Sequence, residues 1–199
     1  MRGTIWVSGI ALGLALLLIC SNTARAVNWD ESVNGDLSSD PNNPTVLGPF
    51  GAGIHSITAT SSGGEQDDFT FSIAPGLALN SIVPKSYNSP LGDNTAFIGI
   101  ASGTSIPNQS FAPGNLLGYS HFGPNIGNVG NNILADMGTG SGAIGFVPPL
   151  GPGNYSIWMQ QAGSPATFTF SFTVVPEPAS LGAMALGALV VRANRRRRW

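Results

Sequence analysis

The middle of this 199-residue chain has almost no basic side chains. Only 9% of all residues are charged, against about 25% in an average soluble protein. Every arginine lies in the first 25 or the last eight residues, and residues 27–175 contain one lysine, Lys85, against nine carboxylates, a net charge of −8. Without arginine this stretch has no bidentate phosphate ligand and cannot neutralise a polyanion. We therefore exclude nucleic acid as a partner of the central domain.

Cysteine is absent after Cys20, which excludes disulfides and thiolate metal sites from the rest of the chain. Cys20 ends an apolar run that follows a basic start and precedes the small residues of the Ala-Arg-Ala sequence at 24–26. This order is typical of a secretory signal peptide over residues 1–26. We expect signal peptidase to cleave after Ala26 and to leave Val27 as the mature N-terminus. The alternative is an uncleaved membrane anchor.

A helical stripe of apolar residues is also absent from residues 27–175. Instead, Phe168, Phe170, Phe172 and Val174 alternate with Thr and Ser, which is the period of a half-buried strand. The same pattern predicts strands at residues 69–73 and 154–160, and more weakly at residues 54–60, 79–85, 95–101, 116–120 and 143–147. The Gly-, Asn- and Pro-rich residues 102–153 predict long loops. Many short strands separated by turns favour one all-β sandwich or barrel.

The last 24 residues consist of three parts in a fixed order. These are Pro176-Glu177-Pro178, an apolar run over residues 179–191, and a basic cluster formed by Arg192, Arg195, Arg196, Arg197 and Arg198. As a helix the apolar run spans about 20 Å. Arginine side chains that reach toward the membrane interface would lengthen the span that it covers. The basic cluster stays cytoplasmic, so the preceding domain lies outside. This tail resembles the PEP-CTERM sorting signal of Gram-negative bacteria.

The resemblance implies a route and a setting for the protein. A short transmembrane helix within residues 176–199 would anchor the chain transiently in the inner membrane, where exosortase would cut near Glu177. The released domain would reach the outer surface or the extracellular matrix, in which PEP-CTERM proteins are associated with exopolysaccharide and biofilm. The alternative is a simple tail anchor that is never released.

The central domain resembles bacterial pre-peptidase C-terminal domains in three short stretches. These are residues 29–40, the run Asp67-Asp68-Phe-Thr-Phe, and residues 150–158. The resemblance implies a single jelly-roll-like antiparallel β-sandwich over residues 27–175. Members of this family often bind calcium through acidic loops and adhere to proteins or polysaccharides.

Known catalytic motifs are missing. The mature chain has no Gly-x-Ser-x-Gly, no His-Glu-x-x-His and no cysteine nucleophile. We interpret His55, in a strand-like stretch, and His121, in an aromatic loop, as structural or surface residues. We therefore expect no enzymatic activity, and a non-enzymatic surface or matrix protein is the expected function.

Acidic residues suggest a calcium site as the one possible cofactor. Asp36, Ser38 and Asp40 follow the alternate spacing with which many calcium loops begin, although Pro41 excludes an EF-hand. Three further carboxylates precede a predicted strand and are able to complete the ligand set, namely Glu65, Asp67 and Asp68. The alternative is that these acids are solvated loop residues.

Carbohydrate binding is the alternative function, either as a calcium-dependent carbohydrate-binding module or as an adhesion module. Flat aromatic rings and planar amides bind sugars without cationic side chains. Alternation places Trp158 and Gln160 on one face of their strand, opposite Tyr155 and Ile157. If Trp158 is exposed, it is the candidate platform for an exopolysaccharide. The competing interpretation is that both faces of the strand are covered.

Overall fold

A computed structural model of the protein describes residues 26–106 and 113–177. The predicted signal peptide up to Arg25, Pro178, the apolar run and the terminal arginines lie outside the described residues. Within the described ranges, no helix is both long enough and apolar enough to cross a membrane.

The described residues form nine strands and two short α-helices. In chain order they are β1 (Asn28–Asp30), α1 (Glu31–Asn34), β2 (Thr45–Pro49), β3 (Gly53–Ser61), β4 (Gln66–Ile73), β5 (Leu77–Asn88), β6 (Ala96–Ser102), β7 (Gly118–Phe122), α2 (Leu134–Gly138), β8 (Gly153–Gln160) and β9 (Ala166–Pro176). A short 3-10 turn, Pro113–Asn115, precedes β7.

The strands form two sheets that face each other. One has the order β1-β3-β9-β5 and the other β2-β4-β8-β6-β7. The prediction of an all-β sandwich is confirmed. Five of the seven described strand pairings are antiparallel, and the pairs β1–β3 and β2–β4 at the sheet edges are parallel.

The core lies between the sheets and is rich in phenylalanine. Phe168, Phe170 and Phe172 of β9 are fully buried, and Phe172 contacts Phe69 and Phe71 of β4 edge to face, with ring centroids 5.8 and 5.9 Å apart. The opposite face of β9 is polar, and its threonine hydroxyls pair with those of β3 at 2.9 and 3.0 Å. The predicted alternation is therefore the alternation of core and surface.

Two sequence predictions for the loop-rich third of the chain are wrong. Residues 143–147 do not form a strand. The amide of Ile144 donates to the Leu116 carbonyl, whereas the amide of Phe146 donates to the Gly138 carbonyl, so the segment joins the residues just before β7 to α2 instead of pairing with one strand. The region predicted as long loops also contains α2, which is too short to give a clear helical period. The strand predicted at residues 116–120 overlaps β7.

Candidate cation site and aromatic groove

Three carboxylates from two distant segments of the sequence meet in the folded sandwich. One oxygen each of Glu31, Asp36 and Asp67 lies within 4.8 Å of the others. Glu31 belongs to α1, Asp36 lies two residues after this helix, and Asp67 is the second residue of β4. The fold therefore gathers a set of hard oxygen ligands from two segments.

Local sequence fixes Glu31 in this position. Asp30 caps α1 by accepting the Ser32 amide at 3.0 Å. Glu31 accepts the amide of Leu37 at 3.1 Å and the amide of Thr60, on β3, at 2.6 Å. The buried Leu37 anchors the loop after the helix in the core. Glu31 thus ties α1 and this loop to β3.

Asp67 is the unusual member of the cluster. Strand alternation puts it on the same face of β4 as Phe69 and Phe71, which is the core face. Its side chain is 0% exposed, and neither carboxylate oxygen has a hydrogen-bond partner. An ionised carboxylate in this position is very costly unless it is paired or binds a cation.

Electrostatics in the cluster favours either a proton or a cation. Burial, and after it the negative charges of Glu31, Glu65, Asp36 and Asp68, raise the pKa of Asp67 to about 8. Burial also raises the pKa of Glu31, and its two amide hydrogen bonds oppose this shift. A divalent cation would remove the mutual repulsion, so these residues fit a calcium ion by their donor chemistry and by the orphaned oxygens of Asp67.

The structure brings together two of the five carboxylates selected from the sequence, Asp36 and Asp67. The other three lie outside this group. Asp40 is exposed and accepts the Asn42 amide at 3.0 Å. Glu65 is exposed in the turn before β4, and the buried Asp68 is on the outer face of β4, opposite Trp158.

Sequence reasoning missed Glu31. It lies one residue after a helix cap, and no spacing connects it to Asp67, 36 positions later in the chain. The signal that was available is the strand parity of Asp67. Counting back by twos from Phe71 through Phe69 places this carboxylate on the core face, where it needs partners.

An aromatic groove of about 380 Å³ lies on the outer face of the five-stranded sheet. Tyr119 of β7 and Trp158 of β8 are both cross-strand neighbours of Gly99 on β6. The Phe97 ring lies over Gly99, where an added Cβ would be 3.1 Å from it, and its centroid is 4.6 Å from that of Trp158. Glycine on β6, between β7 and β8, thus makes room for this aromatic cluster.

The two residues selected for carbohydrate binding both line this groove. Trp158 is only 8% exposed because Phe97 and Leu116 cover it, and its indole nitrogen has no hydrogen-bond partner. The ring is therefore largely covered and is not the exposed platform that the sequence pattern allowed. Gln160 is half-buried and donates to the Gly64 carbonyl at 2.7 Å. No Asp, Glu, Lys or Arg is among the described residues that line the groove. It therefore suits a neutral ligand with both apolar faces and hydroxyl groups.

The two histidines have different surroundings. His55 is buried and stacked on Phe50 with centroids 4.2 Å apart. Its Nδ1 accepts the Val27 amide at 3.0 Å, Nε2 lies 2.9 Å from the Gly51 carbonyl, and burial lowers its pKa. His121 is exposed at the groove, where its ring meets Phe97 edge to face.

Among the sorting residues, Ala26, Val27, Pro176 and Glu177 lie in the described part of the chain. Ala26 is exposed and Val27 is half-buried beside β3. Pro176 is the last residue of β9, and Glu177 follows it.

Comparisons with known proteins identify the end of the chain more clearly than its middle. The structure is similar to the pre-peptidase C-terminal domain of a collagenase from Bacillus anthracis, with a TM-score of 0.30 and 16% sequence identity over 69% of this chain and 100% of that one. No curated protein matches the chain. Residues 174–198 match the PEP-CTERM protein-sorting motif. The chain therefore carries the sorting signal of proteins that are exported and processed by exosortase in Gram-negative bacteria.

Proposed function

We propose that this protein is a non-enzymatic component of the cell surface or extracellular matrix, released after exosortase processing, and that calcium braces its sandwich at Glu31, Asp36 and Asp67. The observation that carries the proposal is the fully buried Asp67 carboxylate, whose two oxygens have no partner. The same burial and the neighbouring acids raise its pKa to about 8. A cation would satisfy the oxygens and the charge together.

Calcium suits the site better than magnesium does. Calcium accepts irregular sets of carboxylate oxygens, whereas magnesium demands a near-octahedral shell and retains its water. Extracellular calcium modules bind the ion with dissociation constants of about 10⁻⁴–10⁻³ M. An exported domain would meet calcium outside the cell, where sites of this weak affinity are used. When bound, the ion would supply positive charge at the junction of α1, β3 and β4, and the protein residues would fix that junction.

The chemistry of the described residues supports a role without catalysis. His55 is occupied by the core, with partners on both ring nitrogens. His121 has no carboxylate, serine or cysteine among the described residues that share its groove. Stabilising a developing negative charge needs donors or cations aimed at one point, and residues 27–175 contain a single basic side chain.

Calcium titration calorimetry on the full chain in detergent tests this proposal. We expect one calcium ion per chain for the wild type and no measurable binding for Asp67→Asn, which retains the shape but loses the charge. Asp40→Asn is the matched control because Asp40 is exposed and lies outside the cluster; it should bind like the wild type. Equal binding by wild type and Asp67→Asn would contradict the site.

The aromatic groove favours a second candidate function, binding of a neutral exopolysaccharide. The supporting observation is the uncharged lining that combines Trp158, Tyr119 and Phe97 with the amide of Gln160. Stacking on rings and hydrogen bonding to amides recognise sugars without ionic contacts. The groove and the carboxylate cluster are separate sets of residues, so either role is able to exist without the other.

Retention on immobilised exopolysaccharide tests the groove. Trp158→Ala and Gln160→Ala should each reduce retention, whereas Ile54→Ala, which removes an exposed apolar side chain from β3, should not. A melting curve for each variant identifies any loss that is due to unfolding. Absence of retention by the wild type, or equal retention by all four proteins, would exclude this function.

A further inference from the structure

The last residues of β9 belong to both the sandwich and the sorting motif. The matched motif begins at Val174, whereas β9 continues to Pro176. Val174 is 1% exposed and pairs with Gly53 of β3 and Leu79 of β5. Val175 and Pro176 then pair with Ala78 and Leu77 of β5 alone. No linker separates the folded domain from the signal.

Glu177 is held as well, although it lies beyond the strand. Its amide donates to the Gly76 carbonyl at 2.9 Å. Gly76 lies in a turn closed by the hydrogen bond from the Leu77 amide to the Ala74 carbonyl, with Pro75 before it and a φ of +81° at the glycine. Proline followed by glycine at these positions is the signature of a type II turn, which fixes the direction of the Gly76 carbonyl.

These contacts restrict where a protease is able to act. A protease binds its substrate as a free, extended backbone, so peptide bonds inside a sheet are cut only after local opening. The bonds up to Glu177 are held by β5 and its turn. The next two bonds, Glu177–Pro178 and Pro178–Ala179, are the first that follow the held residues and the last before the apolar run.

We propose that exosortase cuts at one of these two bonds, so that the domain is released with β9 complete and ends at Glu177 or Pro178. The cut breaks one amide C–N bond: the hydroxyl of a water molecule is added to the carbonyl carbon, and the leaving nitrogen takes the proton. This inference rests on the processing that the sorting motif implies, and it adds the position of the cut.

The C-terminal residue of the released protein tests the position directly. No Lys or Arg lies between Lys85 and Arg192, so trypsin frees the entire C-terminal fragment from Ser86 in one piece. For protein recovered from the medium of an exosortase-bearing host, we expect the fragment mass of residues 86–177 or 86–178 plus one water. A fragment that ends upstream of Glu177, or beyond Pro178, would overturn the proposed position while leaving the processing intact. A fragment that continues to Arg192 would overturn both.

Hydrogen exchange on the full chain tests the physical basis without exosortase. The comparison variant carries a Gly-Ser-Gly-Ser spacer between Val175 and Pro176, which separates Glu177 from the Gly76 carbonyl. We expect the Glu177 amide to exchange at least about 100-fold more slowly in the wild type than in the spacer variant, as for a hydrogen-bonded amide at a sheet end. Equal exchange in the two proteins would overturn the inference.

Discussion

Asp67 makes the stability of the fold depend on the pH of the solution. Its strand position buries it, and the acids around it raise its pKa to about 8. An unfolded aspartate loses its proton near pH 4. Between these two values the folded chain holds a proton that the unfolded chain has lost. In the absence of a bound cation, stability must therefore fall as the pH rises through this window.

The first prediction concerns this slope. In chelator, the wild-type free energy of unfolding should fall from pH 5 to pH 8 by up to about 1.4 kcal/mol per pH unit from Asp67 alone. Asp67→Asn should remove most of this slope, because its side chain does not titrate. Glu31, whose pKa is also raised, leaves a smaller slope of the same sign.

Urea denaturation at four pH values measures the effect. Asp40→Asn is the control, since it removes an exposed carboxylate outside the cluster and should retain the wild-type slope. Identical slopes for wild type and Asp67→Asn would show that Asp67 ionises normally in the folded protein.

At the scale of elements, β7 and α2 pack closely enough to require glycine. A Cβ on Gly118 of β7 would lie 2.1 Å from the Met137 carbonyl oxygen of α2 and 2.8 Å from the Phe146 ring. The carbonyl belongs to the backbone and cannot rotate away. The weakly predicted strand β7 and the helix α2, which no sequence period indicated, are therefore joined by a contact that tolerates no side chain.

The second prediction is that Gly118→Ala destabilises the protein by about 3 kcal/mol, the upper end of the usual cost of overpacking. For a domain of this size that lowers the melting temperature by roughly 6–12 °C. Gly114→Ala is the matched control, because its Cβ would meet only the Gly142 carbonyl oxygen at an ordinary 3.7 Å. Calorimetric melts that are equal for the two variants would contradict this packing.

The elements that could be predicted from the sequence are those with a long, clear period. β9 is recognisable because four apolar residues alternate over an unbroken run, and β4 and β8 repeat the pattern. β1 and β2 have three and five residues and pair in parallel with distant strands, so no local turn indicates them. Asp36 and Asp67 could be selected from the sequence, but Glu31 could not. Glu31 lies in α1, and only the tertiary fold brings it close to Asp67.

At the scale of the whole molecule, the candidate features occupy different parts of one sandwich. The carboxylate cluster joins α1 to β4, the aromatic groove lies on the outer face of β6, β7 and β8, and the sorting motif begins inside β9 of the other sheet. Residues 27–175 have a net charge of −8, with Lys85 as their one basic side chain. Such a domain has little internal charge to neutralise its buried acids, and a calcium ion from outside would do so.

The third prediction is that Glu31→Gln weakens calcium binding less than Asp67→Asn does. Both oxygens of Glu31 already accept backbone amides, from Leu37 and Thr60, whereas those of Asp67 have no partner. A cation therefore removes a larger penalty at Asp67 than at Glu31. Calcium titrations of the two variants and the wild type, run side by side, give the order: we expect weakened but measurable binding for Glu31→Gln. A greater loss of calcium affinity for Glu31→Gln than for Asp67→Asn would contradict this order and make Glu31 of α1 the main calcium ligand.

The central claim is that a bound calcium ion, and not general screening of charge by cations, pairs with the buried Asp67 carboxylate. The melting temperature at pH 8 tests this claim most directly. Calcium at 100 times its dissociation constant adds about 2.7 kcal/mol to the stability of the folded state. The wild type should therefore melt roughly 5–10 °C higher in calcium than in chelator, with a much smaller effect of equal magnesium and almost none of calcium on Asp67→Asn. A wild-type difference below about 1 °C, or equal effects of calcium and magnesium, would contradict the account.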